Sequence, residues 1–364
     1  MHLFHSGLKQ KIMRKLLPVI ICAISIFSNY SNVNAQSHQV IPRKCGSEFP
    51  LQEIMSDPVK AAVYNNYQKK LQYKISQMQQ GLSVDMNRTY YIPVVFHIID
   101  PNPNSITDAM IQHQVDVLNR DYSGYNTDSV NATKFYNVRG HLKLIFVLAK
   151  RSPDGCDTNG IVRVVSNLVV ASASVNLLKH KSTGGSDAWD SYNCKYLNIW
   201  VGNFSDDLLG KATFPYNPGL PANEHGAVIK STTFSFTAAN APYDKGRTLT
   251  HEIGHYFNLQ HIWGVKGCAA NDDDGMTDTP KQDSSSGGCL VEPVMTNLCI
   301  ATPTGINFQN YMDYSDDACL TMFTKQQDSM IIATLTTFAN RSELISPNNM
   351  ALKPMEPNIV FNTC

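Results

Sequence analysis

The sequence predicts an α/β fold of the α+β kind, a mixed sheet packed by helices with a loop-rich region after it, and three observations predict it. Apolar runs of strand length alternate with amphipathic helical stretches from Tyr90 onward, the pattern of a mixed sheet covered by helices. The segment Thr250 to Trp263, THEIGHYFNLQHIW, packs three histidines and a glutamate into one short window with helical spacing. After Trp263 the periodicity fades into Gly, Asp, Ser and Cys, a region that needs covalent staples, and seven of the nine cysteines fall from Cys156 onward.

In chain order, residues 1–35 read as a secretory signal. Lys9, Lys11, Arg14 and Lys15 form a basic start, Leu16 to Phe27 is apolar but short for a membrane span, and Val33-Asn34-Ala35 suits cleavage. The mature protein is then expected to be secreted, soluble and in an oxidising compartment. Ser56-Asp57-Pro58 is a helix start, and the residues to Gln80 keep Val59, Val63, Tyr67, Leu71 and Ile75 on one face before Gly81. One such helix cannot form a core, so it is a prosegment or a linker. Tyr90 to Ile99 is a strand apolar enough to be buried on both faces. Residues 107–122 form a helix capped by Thr107, with Ile111, Val115, Leu118 and Tyr122 inward. His141 to Ala149, Gly160 to Val165, Tyr196 to Val201 and Ala227 to Lys230 are further strands, and a last helix runs near Thr324 to Phe338. Thirty basic residues balance thirty acidic ones, so no bulk field points to nucleic acid or a membrane surface as a partner.

His251 and His255 are four apart and share one helix face, so both imidazoles can reach one zinc ion, with Glu252 placed beside the metal. His261 follows His255 by six residues, too far for a continuous helix. The chain must turn between them, and Asn258 suits the left-handed conformation such a turn needs. Three protein ligands leave a fourth position open, which is the catalytic arrangement. The competing structural reading, histidines satisfied by core hydrogen bonds, does not explain three of them together with Glu252.

HEIGHYFNLQH resembles the extended zinc motif of the metzincin peptidases, with Asn258 where most carry Gly. Asn310-Tyr311-Met312-Asp313-Tyr314 resembles their Met-turn and, followed by an acidic pair and Cys319, is specifically similar to the pappalysin (ulilysin-like) family. The resemblance spans roughly Tyr90 to Phe338. It implies a metzincin-like catalytic domain, with a twisted mixed sheet and zinc helix above an irregular, disulfide-stapled lower subdomain. Between them a cleft would take protein or peptide substrates as an added strand along the sheet edge. It also implies a zinc endopeptidase in which Glu252 is the general base, Tyr314 helps hold the zinc or the oxyanion, and Met312 is an apolar floor. The loop Cys268 to Pro280, with Asp272, Asp273, Asp274 and Asp278, suits calcium, and the family carries calcium at the matching Asp-Thr-Pro position. Asp273, Met276, Thr277 and Asp278 are the expected ligands. Spacing alone leaves three pairings open for Cys268, Cys289, Cys299 and Cys319. The family pattern implies Cys268–Cys299 and Cys289–Cys319. Cys156 and Cys194 are a further candidate pair, with Cys364 left over.

Arg43-Lys44-Cys45-Gly46 resembles the cysteine switch of pro-metzincins, in which a thiolate fills the fourth zinc position. The organisation expected is therefore a signal at 1–35, a prosegment and partner in latency at 36–88, and a catalytic domain at 89–364, with release by a cut at Arg88. Some relatives prefer a basic residue just after the cut, using an acidic side chain near the cysteine that follows the Met-turn. Here Ala318 precedes Cys319, and Asp316 and Asp317 stand a step earlier, so an Arg or Lys preference is an expectation. Two other readings compete: a zinc peptidase whose third ligand is a downstream glutamate such as Glu292, and a non-catalytic secreted zinc-binding protein. His261 and the Met-turn argue against the first, and an intact Glu252 against the second. Trp189, Trp200 and Trp263 read as core.

Overall fold

The computed structural model describes residues 43–81, 88–190, 194–216, 220–234, 240–265, 267–270 and 273–352. The signal segment, Asp272 and Cys364 lie outside them. Two helices open the described chain, α1 (Glu48–Ser56) and α2 (Pro58–Gln79). The cap between them is Asp57, whose carboxylate accepts from the backbone N–H groups of Val59 and Lys60, with Pro58 filling the first helical position. The inward face of α2 is Tyr64, Leu71, Ile75 and Met78, with Tyr67 partly buried. Val59 and Val63, expected inside, are 74% and 40% exposed. Helix α1 was not foreseen: its Leu51 and Ile54 close a small core with Tyr64 and Phe214.

A seven-stranded sheet follows. Strand β1 (Tyr90–Asp100) is central, with β2 (Leu144–Leu148) and β3 (Ile161–Val165) end to end along one edge and β5 (Leu197–Phe204) along the other. The two-residue β4 (Val169–Val170) pairs with the end of β5, and β7 (Ala227–Lys230) extends the sheet. All these pairings are parallel; the outermost strand, β6 (Gly210–Ala212), is antiparallel to β7. The unbroken apolar run of β1 follows from its place, since both faces are covered. Against one face pack α2, α3 (Asp108–Ser123), α4 (Arg247–Tyr256) and α5 (Lys325–Thr337); α6 (Ala339–Ser342) follows α5. Trp200 and Val228 form a second core on the other face with Val175 and Leu178. Thr107 caps α3 by accepting from Met110 N–H, an interaction worth about 1 kcal/mol.

Between α4 and α5 the chain is irregular, and disulfides Cys268–Cys299 and Cys289–Cys319 cross-link it. The pairing considered for Cys156 and Cys194 does not occur: Cys156 is disulfide-bonded, while Cys194 keeps its thiol. Among the described residues no helix is long and apolar enough to cross a membrane.

Candidate active site

Helix α4 is buried along its whole length and carries His251, Glu252 and His255. It stops in a left-handed cap. Asn258 has φ 73°, its N–H donates to His255 O at 2.9 Å, and Leu259 N–H donates to Gly254 O at 2.9 Å, the paired bonds of a Schellman motif. This reversal returns His261 to the face it has just left. The three Nε2 atoms lie 3.1, 3.1 and 3.2 Å apart. A tetrahedral zinc with Zn–N bonds of about 2.0–2.1 Å separates its nitrogens by about 3.3 Å, so the triangle fits.

The hydrogen bonds behind the rings decide what faces the centre. His251 Nδ1 meets Tyr311 O and His255 Nδ1 meets Leu259 O, each at 2.7 Å. A carbonyl only accepts, so Nδ1 carries the proton in both rings and Nε2 points inward as a lone pair. Burial favours the neutral rings: His255 is drawn down to about 4, and His251 and His261 fall well below the ordinary value, each helped by a neighbouring ring. The inward lone pairs of His251 and His255 cannot hydrogen-bond to each other, and a divalent cation among the three rings would satisfy both. Glu252 is buried beside them, its pKa raised to about 7 by burial. Gly210 makes room for it, since a Cβ there would stand 2.7 Å from Glu252 Cγ.

Cys45, His251, His255 and His261 present four buried ligand atoms all within 4.8 Å of one another. Residues 44–46 reach this position by laddering onto β6. Leu209 N–H donates to Lys44 O at 3.0 Å and Gly46 N–H to Gly210 O at 2.8 Å, in a parallel bridge of Cys45 with Gly210. Ser47 is fully buried; its hydroxyl donates to Glu252 Oε2 at 2.9 Å and accepts from Ala212 N–H at 2.7 Å. Arg43, also buried, places its guanidinium on Asp317, donates to Thr248 Oγ1 at 3.4 Å, and lies 4.9 Å from the Tyr243 ring centre. The other oxygen of Asp317 accepts from Lys245 and Arg247 N–H at 2.9 and 3.2 Å, tying this pocket to the first turn of α4. Sequence reasoning singled out Cys45 but missed Ser47, Thr248 and Tyr243 and left Asp317 open. The one available sign was the Arg two residues before Cys45.

Below the histidines, Met312 is buried with its thioether against Gly254, where any side chain would collide with it. Asn310 shapes that turn: its Oδ1 accepts from Met312 N–H at 2.9 Å, and it trades amide bonds with Gln327 at 2.9 and 3.1 Å. Tyr314 stands edge-on to His261, with ring centres 4.9 Å apart. Trp263 is more than core, because it stacks on His261 at 4.4 Å and 17°. In the acidic loop, Asp273 Oδ2 pairs with Lys281 at 2.8 Å, and both oxygens of Asp278 are engaged by Thr324 and Gln326 at 2.8 and 3.0 Å. Asp274 is buried, its Oδ2 lacks a hydrogen-bond partner, and burial pushes its pKa well above the ordinary carboxylate value. Glu292 is elsewhere, accepting from Thr133 Oγ1 at 2.5 Å and Lys134 N–H at 3.3 Å.

Comparison with known proteins agrees with this geometry. Residues 180–336 match the M43 peptidase family described by pregnancy-associated plasma protein-A. An extracellular metalloprotease of Arthroderma benhamiae is 31% identical over 276 residues, covering 74% of this chain and 79% of its own. A promirolysin mutant from Tannerella forsythia superposes with a TM-score of 0.75 at 35% identity, over 86% of this chain and all of that one. Mature mirolysin of the same organism in complex with a cleaved peptide gives 0.66 at 38% identity, over 74% of this chain and all of the other. The mixed sheet, the three-histidine cluster fitting zinc and this similarity lead to one conclusion: the chain belongs to the pappalysin-like M43 family of metallopeptidases.

Proposed function

We propose that this chain is a secreted zinc endopeptidase made as a latent precursor, and that it cuts before basic residues. The observation that carries the reading is the run Arg43 to Ser47, which covers the metal position, the carboxylate and a buried acidic pocket together. His251, His255 and His261 would hold zinc, which supplies Lewis-acid polarisation of the peptide carbonyl and an acidified water. Glu252 accepts the proton of the attacking water and returns it to the leaving amine. Tyr314 holds the developing oxyanion, and Met312 gives an apolar floor. In the precursor Cys45 would take the fourth position at the zinc, and the prosegment would be its own inhibitor. The pocket ending in Asp317 accepts Arg or Lys after the cut, and Arg43 supports this by filling it with a guanidinium. A cut before the exposed Arg88 would detach residues 36–87 and leave Arg88 as the first residue of the catalytic domain, one residue ahead of the 89–364 bounds. Calcium is proposed for the acidic loop, with Asp274 joining Asp273, Asp278 and the carbonyls of Met276 and Thr277.

The names of the extracellular relatives support secretion and a peptide substrate. The test is a peptide library digested by the activated chain, with product sequencing. Cleavage that stops with chelator and leaves Arg or Lys at the new N-termini supports the proposal. Cleavage indifferent to the residue after the cut would remove the Asp317 assignment, and no cleavage at all would remove the activity.

A further inference from the structure

His251 and His255 are set by the helix and by carbonyls that receive their Nδ1 protons. His261 lies beyond the helix cap, on a loop, and is positioned differently. His261 O accepts from Gly264 N–H at 2.9 Å, closing a tight turn with Gly264 at φ 68°. That turn folds Trp263 back over the ring two residues before it, giving ring centres 4.4 Å apart at 17°. Trp263 is 6% exposed. Tyr314 then meets both rings edge-on, with centres 4.9 Å from His261 and 4.9 Å from Trp263, each at 78°. One indole therefore touches the third imidazole with its face and the site tyrosine on another side.

We propose that Trp263 is a positioning residue of the metal site, fixing the plane of His261 and the stance of Tyr314. An imidazole that gives its lone pair to a dication gains positive character, and an electron-rich indole face favours that form over the free one. The stack also excludes water and limits rotation about the His261 side chain, the task that Nδ1 hydrogen bonds perform for the other two histidines. With the indole gone, Tyr314 loses the surface it leans on, so the effects of altering Trp263 and Tyr314 should not add.

This inference rests on the zinc reading, and the test separates them. Zinc affinity is measured by chelator competition on the full chain carrying Cys45→Ala and Glu252→Gln, which removes the fourth ligand and self-cutting. Trp263→Leu should weaken zinc binding about tenfold and Trp263→Phe, which keeps a smaller ring, about threefold. Tyr314→Phe should weaken zinc binding less in the Leu variant than in the Trp chain. Unchanged affinity in a folded Leu variant overturns the proposal; if that variant does not fold, unchanged affinity in the Phe variant does so. A chain with Trp263 intact that binds no zinc defeats the zinc reading instead.

Discussion

Ser47 donates its hydroxyl proton to Glu252 across 205 residues of sequence, at 2.9 Å. Residues 45–47 thus engage the carboxylate as well as the metal position, and in the proposed precursor latency would have two local contacts in place of one. Cys45→Ala should give a precursor that activates early, and Ser47→Ala one that activates earlier than wild type but later than Cys45→Ala. The rate at which intact precursor disappears on a gel measures both. A Cys45→Ala precursor as long-lived as wild type would remove the switch.

Glu252→Ala should lower peptide cleavage by about a hundredfold to ten-thousandfold while zinc stays bound, because a general base contributes that range and the carboxylate is not a ligand. Cleavage rate and metal content read together decide this. Loss of zinc along with activity would mean that Glu252 has been misassigned.

Asp317→Asn should cost about 2–5 kcal/mol of transition-state binding for peptides with Arg after the cut, since it leaves a buried guanidinium without its partner. Peptides with an apolar residue there should change little, because an asparagine oxygen can still accept from Lys245 and Arg247 N–H. Comparing kcat/KM for the two substrate classes is the measurement.

Asn258→Gly should leave zinc affinity within about twofold, because glycine adopts a φ of 73° at least as readily as asparagine. It should still speed activation. Asn258 and Gln68 exchange amide hydrogen bonds at 3.2 and 3.3 Å, and this is where α2 grips the turn between the last two histidines. Asn258→Val, β-branched at positive φ, should destabilise the fold by more than about 1 kcal/mol in thermal unfolding.

Calcium should raise the unfolding temperature of the full chain, and Asp274→Asn should abolish the shift. A shift that persists in the variant would place the ion elsewhere.

The sequence made legible whatever is local and periodic. The Thr107 cap, the double-sided run from Tyr90 and the spacing from His251 to His261 each depend on near neighbours, and the left-handed turn at Asn258 follows from residue type. Strand β6 was not legible, because three residues containing a glycine carry no pattern. Arg43 and Asp317 lie 274 residues apart, and nothing between them signals the contact. Leu71, Ile75 and Tyr67 were read correctly, but Val59 and Val63 were misjudged, because an i, i+4 series winds around the helix and the contact of Tyr64 with α1 is not visible in the local pattern. Trp263 looked like core because burial and ring stacking on a ligand require the same residue type.

The most direct test is the metal content of the purified, processed protein, measured beside His261→Ala. The account predicts one tightly held zinc per chain in the parent and its loss in the variant, with proteolysis lost alongside. A parent without zinc, or a variant that retains it, would contradict the three-histidine site on which everything else is built.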